Sequence, residues 1–148
     1  MKPSEIQKAV ADALAGDKTL AAARIGASIA DDGSLAAKLS KALGVCGSGI
    51  HAIVGAPRFT PESSAAKNAV GTLTLDVAVT EVPAVNRKRA GHLTGADAAW
   101  RVAWTLNQLK LSPDGVLLVL AGTVQSTLEQ DGSAAVYTIP FKCLNSLI

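Results

Sequence analysis

The stretch that decides the fold is Thr72-Leu73-Thr74-Leu75-Asp76-Val77-Ala78-Val79-Thr80-Glu81-Val82, closed by Pro83. Leu73, Leu75, Val77 and Val79 alternate with Thr72, Thr74, Asp76, Ala78 and Thr80. Successive side chains of a strand point to opposite faces, so this period of two predicts a half-buried β-strand over Thr72–Val82. Pro83 has no N–H to donate and ends it. Asp76 and Glu81 are an odd number of positions apart and face opposite ways, so they form no acid–base pair within that strand. Glu81 falls with the apolar set, and the expected resolution is that the strand twists until its end reaches solvent.

Upstream, Ile50–Val54 reads as a second strand, entered from the glycine-rich break Gly44–Gly49. Pro57 through Asn68, with two prolines and two serines, reads as a long polar loop. The first segment predicts a helix from Ser4 to Ala15. Ser4 is the expected cap, Gln7 completes a capping-box spacing, and Gly16 is the stop. Ile6, Ala9, Val10, Ala13 and Leu14 form its apolar face. Leu20–Ala30 reads two ways: its alanines favour helix, while Arg24–Ile29 fits a short strand. Asp31-Asp32-Gly33 breaks the chain, and Ser34 caps a second helix, Leu35–Leu43.

Downstream, Thr94 caps a long helix reaching about Lys110, with Asp97 at the capping-box position. Ala96, Ala99, Trp100, Ala103, Trp104 and Leu111 fall on one side of it, and Arg101, Thr105 and Gln108 on the other. Ser112-Pro113-Asp114-Gly115 is a turn. Val116–Val124 reads as a strand buried on both faces. Asp131-Gly132 is a hairpin turn into Ala134–Cys143, where Ala135, Tyr137, Ile139, Phe141 and Cys143 share a face. The order predicts an α+β fold: a mainly antiparallel sheet of about four strands with helices packed on one face, in a single domain over residues 1–148.

Composition agrees with one globular domain: 148 residues, 49% hydrophobic and 18% charged. Aromatics are only 3%, namely Phe59, Trp100, Trp104, Tyr137 and Phe141. Much of the apolar fraction is alanine, which buries little area per residue, so stability is expected to be shared through association. The longest apolar run, Val116–Ala121, is far short of the roughly 18 residues that cross a bilayer, and no membrane contact is expected. Met1–Glu5 lacks the apolar core of a signal peptide, so the product is expected in the cytoplasm where it is made. Cys46 and Cys143 read as buried free thiols.

The search for chemistry returns little. His51, His92, Cys46 and Cys143 fit no metal-ligand spacing. Gly44-Val45-Cys46-Gly47-Ser48-Gly49 follows a helix and precedes a strand, the reverse of a nucleophile elbow or a phosphate cradle. No catalytic residue, metal or cofactor is expected. The one concentrated charge feature is Asn86-Arg87-Lys88-Arg89 with His92, in a segment from Val82 to Leu93 that contains no acid. It reads as a solvated loop, or as a contact for a phosphate backbone or a neighbour's acidic patch. It has no aromatic residue for base stacking.

Leu75-Asp76-Val77-Ala78-Val79-Thr80-Glu81-Val82-Pro83, then Asn86-Arg87, then Thr94-Gly95-Ala96-Asp97-Ala98-Ala99, resembles the small tail proteins of tailed bacteriophages. The opening Met1–Gln7 and the closing hairpin at Asp131-Gly132 with Tyr137 and Phe141 are similar as well. The element order resembles the tail terminator, or tail completion, family. That resemblance implies a non-enzymatic virion protein forming a hexameric ring at the head-proximal end of the tail tube. There it would stop tube polymerisation and join tail to neck. Its implied partners are other copies of itself, the tail tube protein, the head–tail connector and neck proteins, and DNA passing through the ring. Asn86, Arg87, Lys88, Arg89 and His92 are then candidates for the ring lumen or the subunit joint. Arg58, Phe59, Glu62 and Lys67 are candidates for docking on an adjacent ring. Connector, stopper and tube subunits have similar small α+β folds and are one alternative; a nucleic-acid-contacting adaptor using the basic segment is the other.

Overall fold

The computed structural model describes residues 2–30, 49–61, 71–89, 91–112, 115–128 and 134–144. The expected helix Leu35–Leu43, the glycine-rich break with Cys46 and Ser48, Glu62, Lys67 and the Asp131-Gly132 turn lie outside these residues.

The decisive strand is β4, Gly71–Glu81. It pairs antiparallel with β8, Ala135–Leu144, in register from Leu73↔Cys143 to Glu81↔Ala135. On its other side lies β2, Ile50–Val54, which carries β1, Ala27–Ile29, as a parallel neighbour. Among the described residues the sheet contains eight strands rather than about four, in the order β1-β2-β4-β8-β6-β5, with β3 on β4 and β7 on β8. It is mainly antiparallel, with β1–β2 the parallel pair.

The additional strands come from segments read as loops or as parts of longer elements. Arg58–Pro61, placed in a polar loop, is β3; it occupies the length of β4 that β2 leaves free. Val116–Val124 divides into β6, Leu117–Leu120, and a new strand β7, Gln125–Leu128. Pro140 explains the division. The Asp76 carbonyl accepts from Gly55 N–H on the β2 side, so the backbone groups of its cross-strand partner Pro140 face away from β4. Pro140 offers its carbonyl to Ala121 N–H but has no N–H to return, and the neighbouring strand breaks there. β6 is also not buried along its whole length: Leu118 is inside, Leu117 and Val119 on the opposite face are half-buried, and Leu120 at the end of the strand is exposed. The strand buried along its whole length is β2.

Helix α1 spans Pro3–Ala15. Its cap is Lys2 rather than Ser4, because Pro3, with its φ already helical, takes the first helical position. Lys2 N–H donates to Glu5 Oε2 at 2.6 Å. Gln7, expected in a capping box, points inward instead. Its Nε2 donates to the carbonyls of Ala30 and Val54 and ties the helix to the ends of β1 and β2. Both readings of Leu20–Ala30 are realised in turn: α2, Lys18–Ala22, is followed by β1, and Arg24 makes the turn at φ 57°.

A short helix α3, Pro83–Asn86, follows β4. Helix α4, Gly95–Leu106, is capped by Thr94, whose Oγ1 accepts from Asp97 N–H. It stops at Leu106 rather than near Lys110. Asn107 is extended, Gln108 takes φ 64°, and Leu109–Lys110 leaves as β5 to pair with β6. α1 packs on β1 and β2, α4 packs on β4, β6 and β8, and the two helices touch each other. The core between them holds Ile6, Val10 and Leu14, the predicted β4 set Leu73–Val79, and Ile139 and Phe141 of β8. Cys143 is in this core, and burial pushes its thiol up to about 11, so it is an unreactive packing residue.

Asp17 joins three elements. It caps α2 through Leu20 N–H and accepts from Arg101 Nη2 and Thr105 Oγ1 of α4, each at 2.9 Å. Burial acts to raise this carboxyl. The hydrogen bonds from Arg101, Leu20 and Thr105, together with the Arg101 charge, outweigh burial and hold it at about 2 instead of 3.8. A carboxyl lowered on folding stabilises the protein above its unfolded pKa. That contribution, of order 2 kcal/mol, is lost as pH falls from about 4 to about 2. Thermal melts across that window are expected to show this loss, and Asp17→Asn to flatten it while lowering stability at neutral pH.

Candidate assembly interface

The two faces of α4 differ in residue size. The buried face is Gly95, Ala98, Ala99, Val102, Ala103 and Leu106. Trp100 and Trp104, read with the apolar side, stand outside at 72% and 68% exposure. The inward face is small because the helix sits close to the sheet. A Cβ on Gly95 would lie 2.5 Å from Tyr137 Cε2 and 2.8 Å from Glu81 Oε1. At Gly95 that spacing excludes even a methyl group, and farther along the helix alanines, Val102 and Leu106 fill the inward face. The two tryptophans, four residues apart, therefore form a ridge along the outer side of the helix.

Grooves lie on both sides of the ridge. One is lined by Trp100, Ala103, Trp104, Asn107, Gln108 and Leu120. The other is lined by Ala96, Ala99, Trp100, Val124, Ser126 and Tyr137. None of these residues is charged. Leu128, two residues beyond Ser126 on the same side of β7, is 70% exposed. All four residues of β7 are exposed, and among the described residues β7 pairs only with β8. Single exposed apolar residues are ordinary; a contiguous uncharged strip with two indoles marks an interaction surface.

The basic segment is bound down rather than loose. Asn86, expected in a solvated or lumenal loop, is fully buried. Its Nδ2 donates to Glu81 Oε2 at 2.6 Å and to the Leu93 carbonyl at 2.7 Å. Glu81 therefore does not reach solvent at a twisted strand end; it is buried and its charge is met by this amide. Arg89 turns back and donates through Nε and Nη2 to Asn86 Oδ1. His92 Nδ1 lies 3.2 Å from the Arg89 carbonyl. Arg87 and Lys88 are the exposed cations of the segment. On the opposite margin, Arg58 is paired with Asp76 at 2.9 Å, and Phe59 packs partly against the core.

His51 and Ser28 form a polar contact across β1 and β2. Ser28 Oγ lies 2.7 Å from His51 Nε2, and burial lowers the imidazole pKa, favouring the neutral ring. Ser28 was not singled out by the sequence; its pairing follows from the β1–β2 register, which no local pattern encodes. Among the described residues no group of three or more His, Cys, Asp and Glu side chains converges as a metal site.

No family model and no curated protein matches the chain. Among solved structures, it is similar to a chain of the virion of a native gene transfer agent particle, with a TM-score of 0.57 and 17% identity. The alignment covers 93% of this chain and 91% of that one. The likeness establishes a shared α+β fold.

Asn86→Leu tests the buried polar node. It leaves the Glu81 carboxylate without its donor and frees Arg89. The expected cost is about 1–3 kcal/mol, read as a lower urea midpoint with an unchanged slope.

Proposed function

We propose that this chain is a non-enzymatic virion structural protein of the tail terminator type. It is a single domain that assembles into a ring at the head-proximal end of a tail tube. The observation that carries the reading is the fold likeness to a chain of a virion particle over nearly the full length of both. The phage-tail-like run from Leu75 to Ala99 supports it from the sequence side. The uncharged strip around Trp100 and Trp104 supports it from the surface, since it suits lasting contact between proteins.

In this reading Arg87 and Lys88 face the ring lumen or the subunit joint, where their charge meets passing phosphates or an acidic neighbour. β3, with Arg58 and Phe59, lies toward the adjacent ring or the neck. Arg89 and Asn86 hold the basic turn in shape.

Electron microscopy of the purified protein, alone and with isolated tail tubes, tests the reading. Single rings seated on tube ends are the expected result. Long stacks assign the chain to the tube instead, and protein that neither self-assembles nor binds tubes overturns the proposal. Arg87→Glu with Lys88→Glu is expected to reduce particle yield. Normal rings and normal yield in that variant remove the lumenal role.

A further inference from the structure

We propose that the Trp100–Trp104 ridge and the outer edge of β7 together form the face on which a second copy of this chain docks. The inference rests on the virion-assembly reading and names the contact that builds the ring.

The first argument is area. A buried aromatic side chain removes about 150–250 Å² from water, so two indoles exposed to roughly seven-tenths offer about 200–350 Å² between them. Leu120, Val124 and Leu128 continue the strip. Together these side chains offer roughly half to three-quarters of the about 800 Å² per partner that a standard stable interface buries, and the exposed polar residues of β7 adjoin them.

The second argument is charge. Among the described residues, the grooves beside the ridge contain no ionisable side chain except the Tyr137 phenol. The face has nothing with which to hold a phosphate backbone or an acidic peptide. Its partner must present apolar and hydrogen-bonding surface of the same kind.

The third argument selects the same chain as that partner. β7 is an open sheet edge without lysine, proline or any charge, the usual devices that block pairing. An open edge is satisfied by another strand, and the far margin of this sheet supplies one. There β1, Ala27-Ser28-Ile29, is likewise uncharged and, among the described residues, pairs only with β2. Its neighbour at that margin, β3, carries Arg58 and Pro61, which block pairing. Among the described residues, one chain thus holds an unblocked edge at each margin of its sheet. Copies meeting through unlike edges form a head-to-tail contact, the type that closes into rings.

The test compares the masses of the wild-type protein, the double variant Trp100→Glu/Trp104→Glu, and Ser126→Lys, across concentration. Circular dichroism of each sample verifies folding. Ser126→Lys alters the β7 side of the face and leaves the helix intact, so it decides the matter if the double variant misfolds. Tail-tube binding is measured in parallel. The expected result is a wild-type oligomer whose tryptophan emission shifts to the blue on assembly. The folded variants should need at least tenfold more protein for half-assembly. Variants that assemble like wild type place the subunit contact elsewhere and overturn the inference while the assembly reading stands. Variants that self-assemble normally but lose tube binding assign the face to the tube protein and also overturn it. A wild-type protein that stays monomeric yet binds tubes overturns the self-contact alone; one that does neither overturns both.

Discussion

The structure depends on the antiparallel ladder between β4 and β8, two long strands joined through nine consecutive residue pairs from Leu73↔Cys143 to Glu81↔Ala135. Four of the other strands pair directly with one of these two, and β1 and β5 are added outside β2 and β6. β2 and β3 divide the free edge of β4, and β6 and β7 divide that of β8. Helix α4 finds its site the same way, since the odd-numbered residues from Leu73 to Val79 supply apolar floor beneath it, while α1 lies on β1 and β2. The ladder pairs residues about 60 positions apart, so its closure entropy is offset only when the full set of contacts forms.

At one end of the ladder, buried polarity does what packing does elsewhere. Glu81, Asn86, the Leu93 carbonyl and Arg89 form a connected chain of hydrogen bonds just where α4 comes closest to the sheet. Gly95 makes that approach possible, and Gly49, at φ 74°, lets the start of β2 pass within contact of the Asn86 backbone. A carboxylate kept inside must be fully paired, so these residues fix one geometry for the turn rather than merely adding stability. The consequence is that the outward-facing cations are presented by a rigid turn.

The central strand, β2, the Thr94 cap and the apolar face of the final strand were legible because each depends on local pattern: a period of two, a hydroxyl three residues before an acid, a run bounded by glycine. The split strand at Pro140 was not, because it depends on which side of β8 the missing N–H faces, a matter of register. β3 was hidden because a four-residue edge strand with a proline looks like a loop until a long partner is placed beside it. The tryptophans were misread for a physical reason. Helical spacing marks an apolar sector but does not say how close the sheet lies, and at a backbone separation set by Gly95 the small residues go in and the indoles come out. The exposed strip was therefore visible as residues and invisible as a surface.

The break at Pro140 has a consequence for the protein at high concentration. An exposed strand edge is a template for pairing with other chains and for fibre growth. Steric-zipper segments are typically six or seven residues of continuous strand. By ending β6 at Leu120 and delaying β7 until Gln125, the proline limits each piece of that margin to four residues. A four-residue edge is too short to propagate a steric zipper through backbone pairing alone.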